Sequence, residues 1–179
     1  MSRSIIPSPI GPLLLETTPR GIQELSFLES ESARPARRHR RAIKDGADDD
    51  LTLAAEVEKQ IAEYFAGSRR TFDLPLDLAG TDFQRRVWTV IASIPFGDTA
   101  SYAWVAGIAG FPNAYRAAGS ACASNPVVIV VPCHRVVGSD RGLHGFGGGL
   151  DTKAWLLRHE GSLAALEKSS PAELQQVLV

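Results

Sequence analysis

The strongest constraint in this chain is the run Asn125-Pro126-Val127-Val128-Ile129-Val130-Val131-Pro132-Cys133-His134-Arg135-Val136-Val137. Its five consecutive aliphatic residues, Val127 to Val131, read as a strand buried on both faces. Pro132 has no N–H for a ladder, so the strand should break there and present Cys133 and His134 at its rim. A cysteine in apolar surroundings has a raised pKa and is inert unless a neighbour favours its thiolate. His134 is the candidate base. A free cysteine more often packs as a small hydrophobe, so the pair alone does not decide between packing and chemistry.

At 179 residues and 44% hydrophobic content, the chain can bury a real core as one large domain or two small ones. No stretch has the length to span a bilayer, and Met1-Ser2-Arg3-Ser4 does not open a signal peptide. Cys122 and Cys133 do not make a disulfide framework, and the four histidines are too scattered to give a zinc site with them. A thiol that must stay reduced implies a cytoplasmic location. The net charge of −1 does not advertise nucleic acid, yet the segment 81–160 is net basic, with seven Lys and Arg against five Asp and Glu. That balance suits a short DNA footprint and argues against a long electrostatic track.

Residues 4–28 read as a β-hairpin or meander, with breaks at Gly11-Pro12 and Pro19-Arg20-Gly21. Residues 29–50 join a basic cluster, Arg34 to Arg41, to an acidic run, Asp45 to Asp50, and are expected to form a solvated flexible loop. From Leu53, the positions Val57, Ile61, Tyr64 and Phe65 recur at helical spacing until Gly67. Leu78-Ala79-Gly80 reads as a linker. Thr81 then N-caps a helix with Phe83, Val87, Val90 and Ile91 on its buried stripe, ending at Ile94-Pro95-Phe96-Gly97.

Residues 100–124 have a helix-turn-helix layout: Ala100 to Ala109 with Thr99 as N-cap, a turn at Gly110-Phe111-Pro112, then Asn113 as N-cap of a helix to Ser124. The second helix is shaved to small residues, among them Ala114, Ala117, Ala118, Gly119, Ser120, Ala121 and Ala123. Such a helix can approach a surface closely, and with few base-reading side chains it would sense deformability rather than sequence. Tight internal packing explains the same composition equally well. The expected fold is α+β: a small N-terminal sheet with a helix over 1–80, a mostly helical domain with the helix-turn-helix over 81–161, and a tail over 162–179.

Asn125-Pro126 and Pro132-Cys133-His134-Arg135-Val136-Val137 match the signature of the O6-alkylguanine-DNA alkyltransferases. The chain resembles that DNA-repair family from about Thr81 to Gly161, and more weakly, by pattern only, from Ile5 to Gly80. The resemblance implies a stoichiometric, irreversible S-methyltransferase that takes the alkyl group from O6-alkylguanine, and from O4-alkylthymine, in double-stranded DNA onto Cys133. No cofactor and no metal is implied, and some relatives' N-terminal zinc ligands are missing here. His134 would take the thiol proton through a bridging water, with Glu160 fixing the imidazole from behind. Asn125 would brace the active-site turn, and Arg135 would tie it down.

By the same resemblance the second helix enters the minor groove through Ala114, Ala117 and Ser120, and Arg116 fills the stack vacated by a flipped nucleotide. Tyr102 would crowd a phosphate, help rotate the base and lend it a proton. The base pocket would be walled by Tyr102, Val136, Phe146, Gly147 and Gly148, with Phe146 standing where relatives often have tyrosine. A monomer is expected, with cooperativity on DNA left open. Competing readings are a noncatalytic lesion-binding module, against which Cys133 stands, and a thiol peptidase, which lacks visible oxyanion donors. A combined regulator and repair protein would need a cysteine-rich metal domain that this length cannot hold.

Overall fold

The computed structural model describes residues 1–28 and 48–164. The charged segment 29–47 and the tail from 165 lie outside the described residues.

The N-terminal part is an antiparallel meander of β1 (Ser2–Ile6), β2 (Leu13–Thr18) and β3 (Gly21–Phe27), with β2 in the centre. Alternation along β2 sends Leu13, Leu15 and Thr17 into the core, the period-two pattern of a half-buried strand. Helix α1 (Asp48–Phe65) begins within the acidic run, so Asp48 to Asp50 belong to a helix rather than to a loop. Val57, Ile61 and Tyr64 form the fully buried face of α1.

Strand β3 ties this sheet to the rest of the chain. Ile22 bridges Leu76 and Leu25 bridges Val127, each in parallel, with backbone bonds of 2.8 Å at both places. Gly21 has φ +145 there, and a Cβ on it would collide with the Pro75 carbonyl. Buried residues from Ile6 to Leu156 form one contiguous hydrophobic cluster.

Thr81 caps α2 (Asp82–Ala92) with a full capping box to Gln84. Its buried face is Val87, Trp88 and Ile91. Trp88, absent from the expected stripe, donates from its indole N–H to Ala121 O at 2.9 Å and so locks α2 to α4 (Tyr115–Ala123).

The helix-turn-helix is shorter than its pattern. Ala100–Ser101 is a short strand, β4, paired in parallel with β5 (Val136–Val137), so α3 runs Tyr102–Ile108 with Ser101, not Thr99, as N-cap. Asn113 is not a cap either. It takes a left-handed turn conformation at φ +73, and Ala114 precedes α4 without any side-chain cap bond. Helix α5 (Leu150–His159) closes the described fold.

The apolar run is the main correction. Val127 makes one bridge to Leu25, and residues 128–131 then form a tight turn with Ile129 at φ +71. Burial of Val127, Val128, Ile129 and Val131 was legible. The turn was not, because an apolar run carries the same pattern whether it extends or folds back.

Candidate active site

Cys133 heads a single 3-10 turn, Cys133–Arg135, directly after the Ile129 turn. A β-branched residue in the left-handed region costs about 1–3 kcal/mol and persists only where its surroundings fix it. Asn125 fixes it here. Its Nδ2 donates to Val131 O at 2.7 Å and to Cys133 Sγ at 3.1 Å, while its Oδ1 accepts from the Val127 N–H at 3.0 Å. One side chain therefore sets the turn and touches the sulfur.

Because Cys133 and His134 lie in a helical turn rather than an extended segment, the imidazole swings towards α5. His134 Nε2 lies 2.8 Å from Glu160 Oε1, and both groups are buried. Arg135 donates to the same carboxylate from Nε at 2.8 Å and Nη2 at 3.0 Å, and from Nη1 to Ile94 O at 2.6 Å. Tyr64 of α1 adds its hydroxyl to Glu160 Oε1 at 2.7 Å. Sequence reasoning missed Tyr64, which sits 96 residues from its partner.

The electrostatics follow from this packing. Burial pushes the Glu160 carboxyl up, but the bonds from His134 and Arg135 outweigh it and hold it at about 2. Burial lowers the His134 pKa despite Glu160, so the ring is neutral near pH 7. A neutral imidazole facing a carboxylate carries its proton on Nε2, leaving the lone pair on Nδ1. Nδ1 is buried with no hydrogen-bond partner among the described residues. Burial also raises the Cys133 thiol, against the opposing pull of Asn125, Lys153 and the local backbone N–H groups. The resting sulfur thus keeps its proton until a base removes it.

Lys153 was also missed. It is fully buried on α5, donates to Val136 O at 2.6 Å and His144 O at 3.0 Å, and lies 5.9 Å from the Tyr102 ring centroid. Burial lowers its pKa to about 8, although both thiols favour its charge. The readable signal was a lysine and a glutamate on one stripe with Leu156 and Leu157, at i, i+3, i+4 and i+7. Cys122 is buried on α4, and burial raises its thiol to about 12.

A cleft of about 940 Å³ opens beside this centre. One wall is Tyr102, Ala103, Tyr115, Arg116, Gly119 and Ala123, and the other comes from the loop Gly138 to Gly149. Tyr102 joins cleft and sulfur: it lines the wall, and burial together with the two nearby thiols raises its phenol to about 12.

Comparison with known proteins now bears directly on this arrangement. A family model described as the DNA binding domain of 6-O-methylguanine DNA methyltransferase matches residues 82–162, and one for the ribonuclease-like domain of the same family matches 1–78. The chain belongs to that family. The methylated-DNA–protein-cysteine methyltransferase of Methanosarcina barkeri is 41% identical over 162 residues, covering 89% of this chain and 97% of the relative. Its counterpart from Mycobacterium bovis is 43% identical over 159 residues, covering 89% and 92%. The crystal structure of Mycobacterium tuberculosis OGT in complex with DNA matches with a TM-score of 0.78 at 42% identity, covering 93% of this chain and 97% of that one.

The methyltransferase fold brings together Cys133, His134, Asn125 and Glu160, and lines the cleft with Tyr102, Arg116, Phe146 and Gly147. It does not bring Val136 or Gly148 to the wall. Val136 is fully buried, paired with Ala100, and its carbonyl is taken by Lys153. Gly148 is pressed against Phe27, whose ring a Cβ would meet at 2.7 Å, while Phe146 packs edge-on against the same ring at 5.7 Å. On α4 the small residues divide. Ala118 and Ala121 pack inward, Ala117 and Ser120 face outward beside Arg116, and Ala114 is half-buried at the helix start. Tight packing accounts for Ala118 and Ala121. Among the described residues no group of His, Cys, Asp and Glu could hold a metal, and no helix is long and apolar enough to cross a membrane.

Proposed function

We propose that this chain repairs alkylated double-stranded DNA by moving the alkyl group from O6 of guanine, and from O4 of thymine, to Sγ of Cys133. The alkyl carbon lies inside the duplex, so the nucleotide is extruded into the cleft, at a cost lowered by the poor pairing of an alkylated base. The outward face of α4, with Ala117 and Ser120, lies along the minor groove with Ala114 at its start, and Arg116 fills the vacated stack. Tyr102 crowds the backbone and lines the base's path.

Behind the cleft wall, His134 Nδ1 takes the Cys133 proton through a bridging water, and Glu160 stabilises the imidazolium. The sulfur attacks the alkyl carbon in line. The C–S bond forms as the C–O bond breaks, the electron pair leaves on the purine oxygen, and the base takes a proton through the Tyr102 hydroxyl, which the proton held on His134 restores. A thioether is a poor leaving group, so each molecule acts once. No cofactor enters these steps. Both cysteines are free, which fits the reducing cytoplasm, and a monomer suffices for the chemistry.

The observation that carries this reading is the buried carboxylate that fixes a neutral His134 with its lone pair on Nδ1, directly after Cys133 in one 3-10 turn. A noncatalytic lesion binder has no use for such a base. Incubating the protein with an oligonucleotide bearing one O6-methylguanine, then weighing the intact protein and its peptides, tests it. One methyl per chain on the peptide of Cys133 is expected; an unmodified Cys133 beside bound DNA would select the noncatalytic reading.

A further inference from the structure

The first residue of α4 is Tyr115, an exposed aromatic on a helix whose other outward residues beyond Arg116 are small. Tyr115 is 47% exposed and forms part of the cleft wall together with Arg116. The Arg116 guanidinium rests over that ring at 5.6 Å from its centroid. Tyr115 does nothing evident for the helix it begins, because the cap position before it makes no side-chain bond and the ring points away from the core. A flat apolar surface left in water at the mouth of a base-sized cleft is suited to stacking.

We propose that Tyr115 is a second, aromatic wedge in the DNA-bound state, stacking on the base next to the position that Arg116 fills. The inference rests on the repair reading above and adds a residue to it. In the free protein the ring holds the long arginine side chain in place, limiting the rotamer freedom that insertion would otherwise remove. On DNA the two side chains part. Arg116 occupies the gap, and the phenol ring covers the exposed face of the flanking base. Stacking of this kind is indifferent to sequence because every base has a π-face, which suits a protein that must meet lesions in any context.

The test compares the unsubstituted protein with Tyr115→Ala and Tyr115→Phe. Each preparation is titrated for competent thiol by end-point transfer from a free alkylated guanine base. Binding to a duplex with one O6-methylguanine and a neighbouring 2-aminopurine, and single-turnover transfer from it, are then measured. Tyr115→Ala is expected to weaken binding by about 5- to 150-fold, the range for loss of one base–aromatic stack, and to lose the 2-aminopurine response. Tyr115→Phe should stay within about twofold, and neither variant should change the salt slope, since no phosphate contact is removed. The same pair in an Arg116→Ala background separates stacking from mere parking of the arginine. A loss that persists there supports the wedge, and a loss that vanishes overturns it. Full binding by Tyr115→Ala, or equal loss in Tyr115→Phe, overturns it as well. Failure of the repair reading is a separate result: the unsubstituted protein would then transfer nothing from the duplex.

Discussion

Replacing Glu160 with glutamine probes the centre of the site with almost no change of shape. Every neighbour of this carboxylate donates: His134 Nε2, Arg135 Nε and Nη2, the Tyr64 hydroxyl and, at 3.4 Å, the Gly97 N–H. A glutamine offers one accepting oxygen and turns an NH2 towards donors on the other side. The buried Arg135 charge then lacks its counter-ion, a change that costs about 3–5 kcal/mol when one partner of a buried pair is removed. Proton linkage gives the same scale: a carboxyl held at about 2 instead of its ordinary 4.5 corresponds to roughly 3 kcal/mol of stability. Because the folded value is depressed, that contribution is fully present above about pH 4.5 and drains away as pH falls towards 2. Urea unfolding from pH 7 to pH 2.5 should therefore show Glu160→Gln less stable by about 3–5 kcal/mol at neutral pH, with the gap to the unsubstituted protein closing as pH falls below about 4.5 and the Glu160 contribution drains away. Single-turnover alkyl transfer should also fall by about 10²–10⁴-fold, the usual contribution of a positioned general base, because nothing then keeps the His134 lone pair on Nδ1. A loss under about 1 kcal/mol, together with parallel acid curves, would refute the claim that this carboxylate is the anionic hub of the site.

The remaining expectations are simpler. Cys133→Ala should abolish the mass gain while retaining DNA binding, and Cys122→Ser should keep one alkyl per chain, since Cys122 packs within α4; loss of transfer in the second variant would reassign the nucleophile. Tyr64→Phe removes a hydroxyl bound to Glu160 at 2.7 Å, and thermal unfolding should show a cost of about 1 kcal/mol with transfer largely kept, because Arg135 and His134 still hold the carboxylate. Lys153→Met strips Val136 O and His144 O of their donor, and a loss of about 1–3 kcal/mol in urea unfolding should come with faster amide exchange in the loop from Gly138 to Gly149.

What the sequence made legible was local chemistry. Thr81 was recognisable as an N-cap because a cap acts within its own helix turn, and the structure adds Gln84 to complete the capping box. The Pro132 to Val137 signature carried the resemblance to the family that the chain belongs to. What stayed hidden depends on distant partners. Ser101 caps α3 in place of Thr99 only because Ala100 and Ser101 are drawn into pairing with Val136 and Val137. Residues 128–131 fold back because Asn125 and the edge of β3 hold them, and no window of aliphatic residues reveals an isoleucine at positive φ. Tyr64 and Lys153 reach the centre from α1 and from one face of α5, and each looks like ordinary helix material until the faces meet.

The two bridges on β3 have a consequence for how this protein could be divided. Leu25 exchanges backbone bonds with Pro126 and Val128, immediately after the asparagine that touches the sulfur. A fragment cut out at residue 80 would leave those amide and carbonyl groups bare and take away Tyr64. The reactive half is therefore no portable cassette, and wear at the outer edge of the meander would be felt as lost repair.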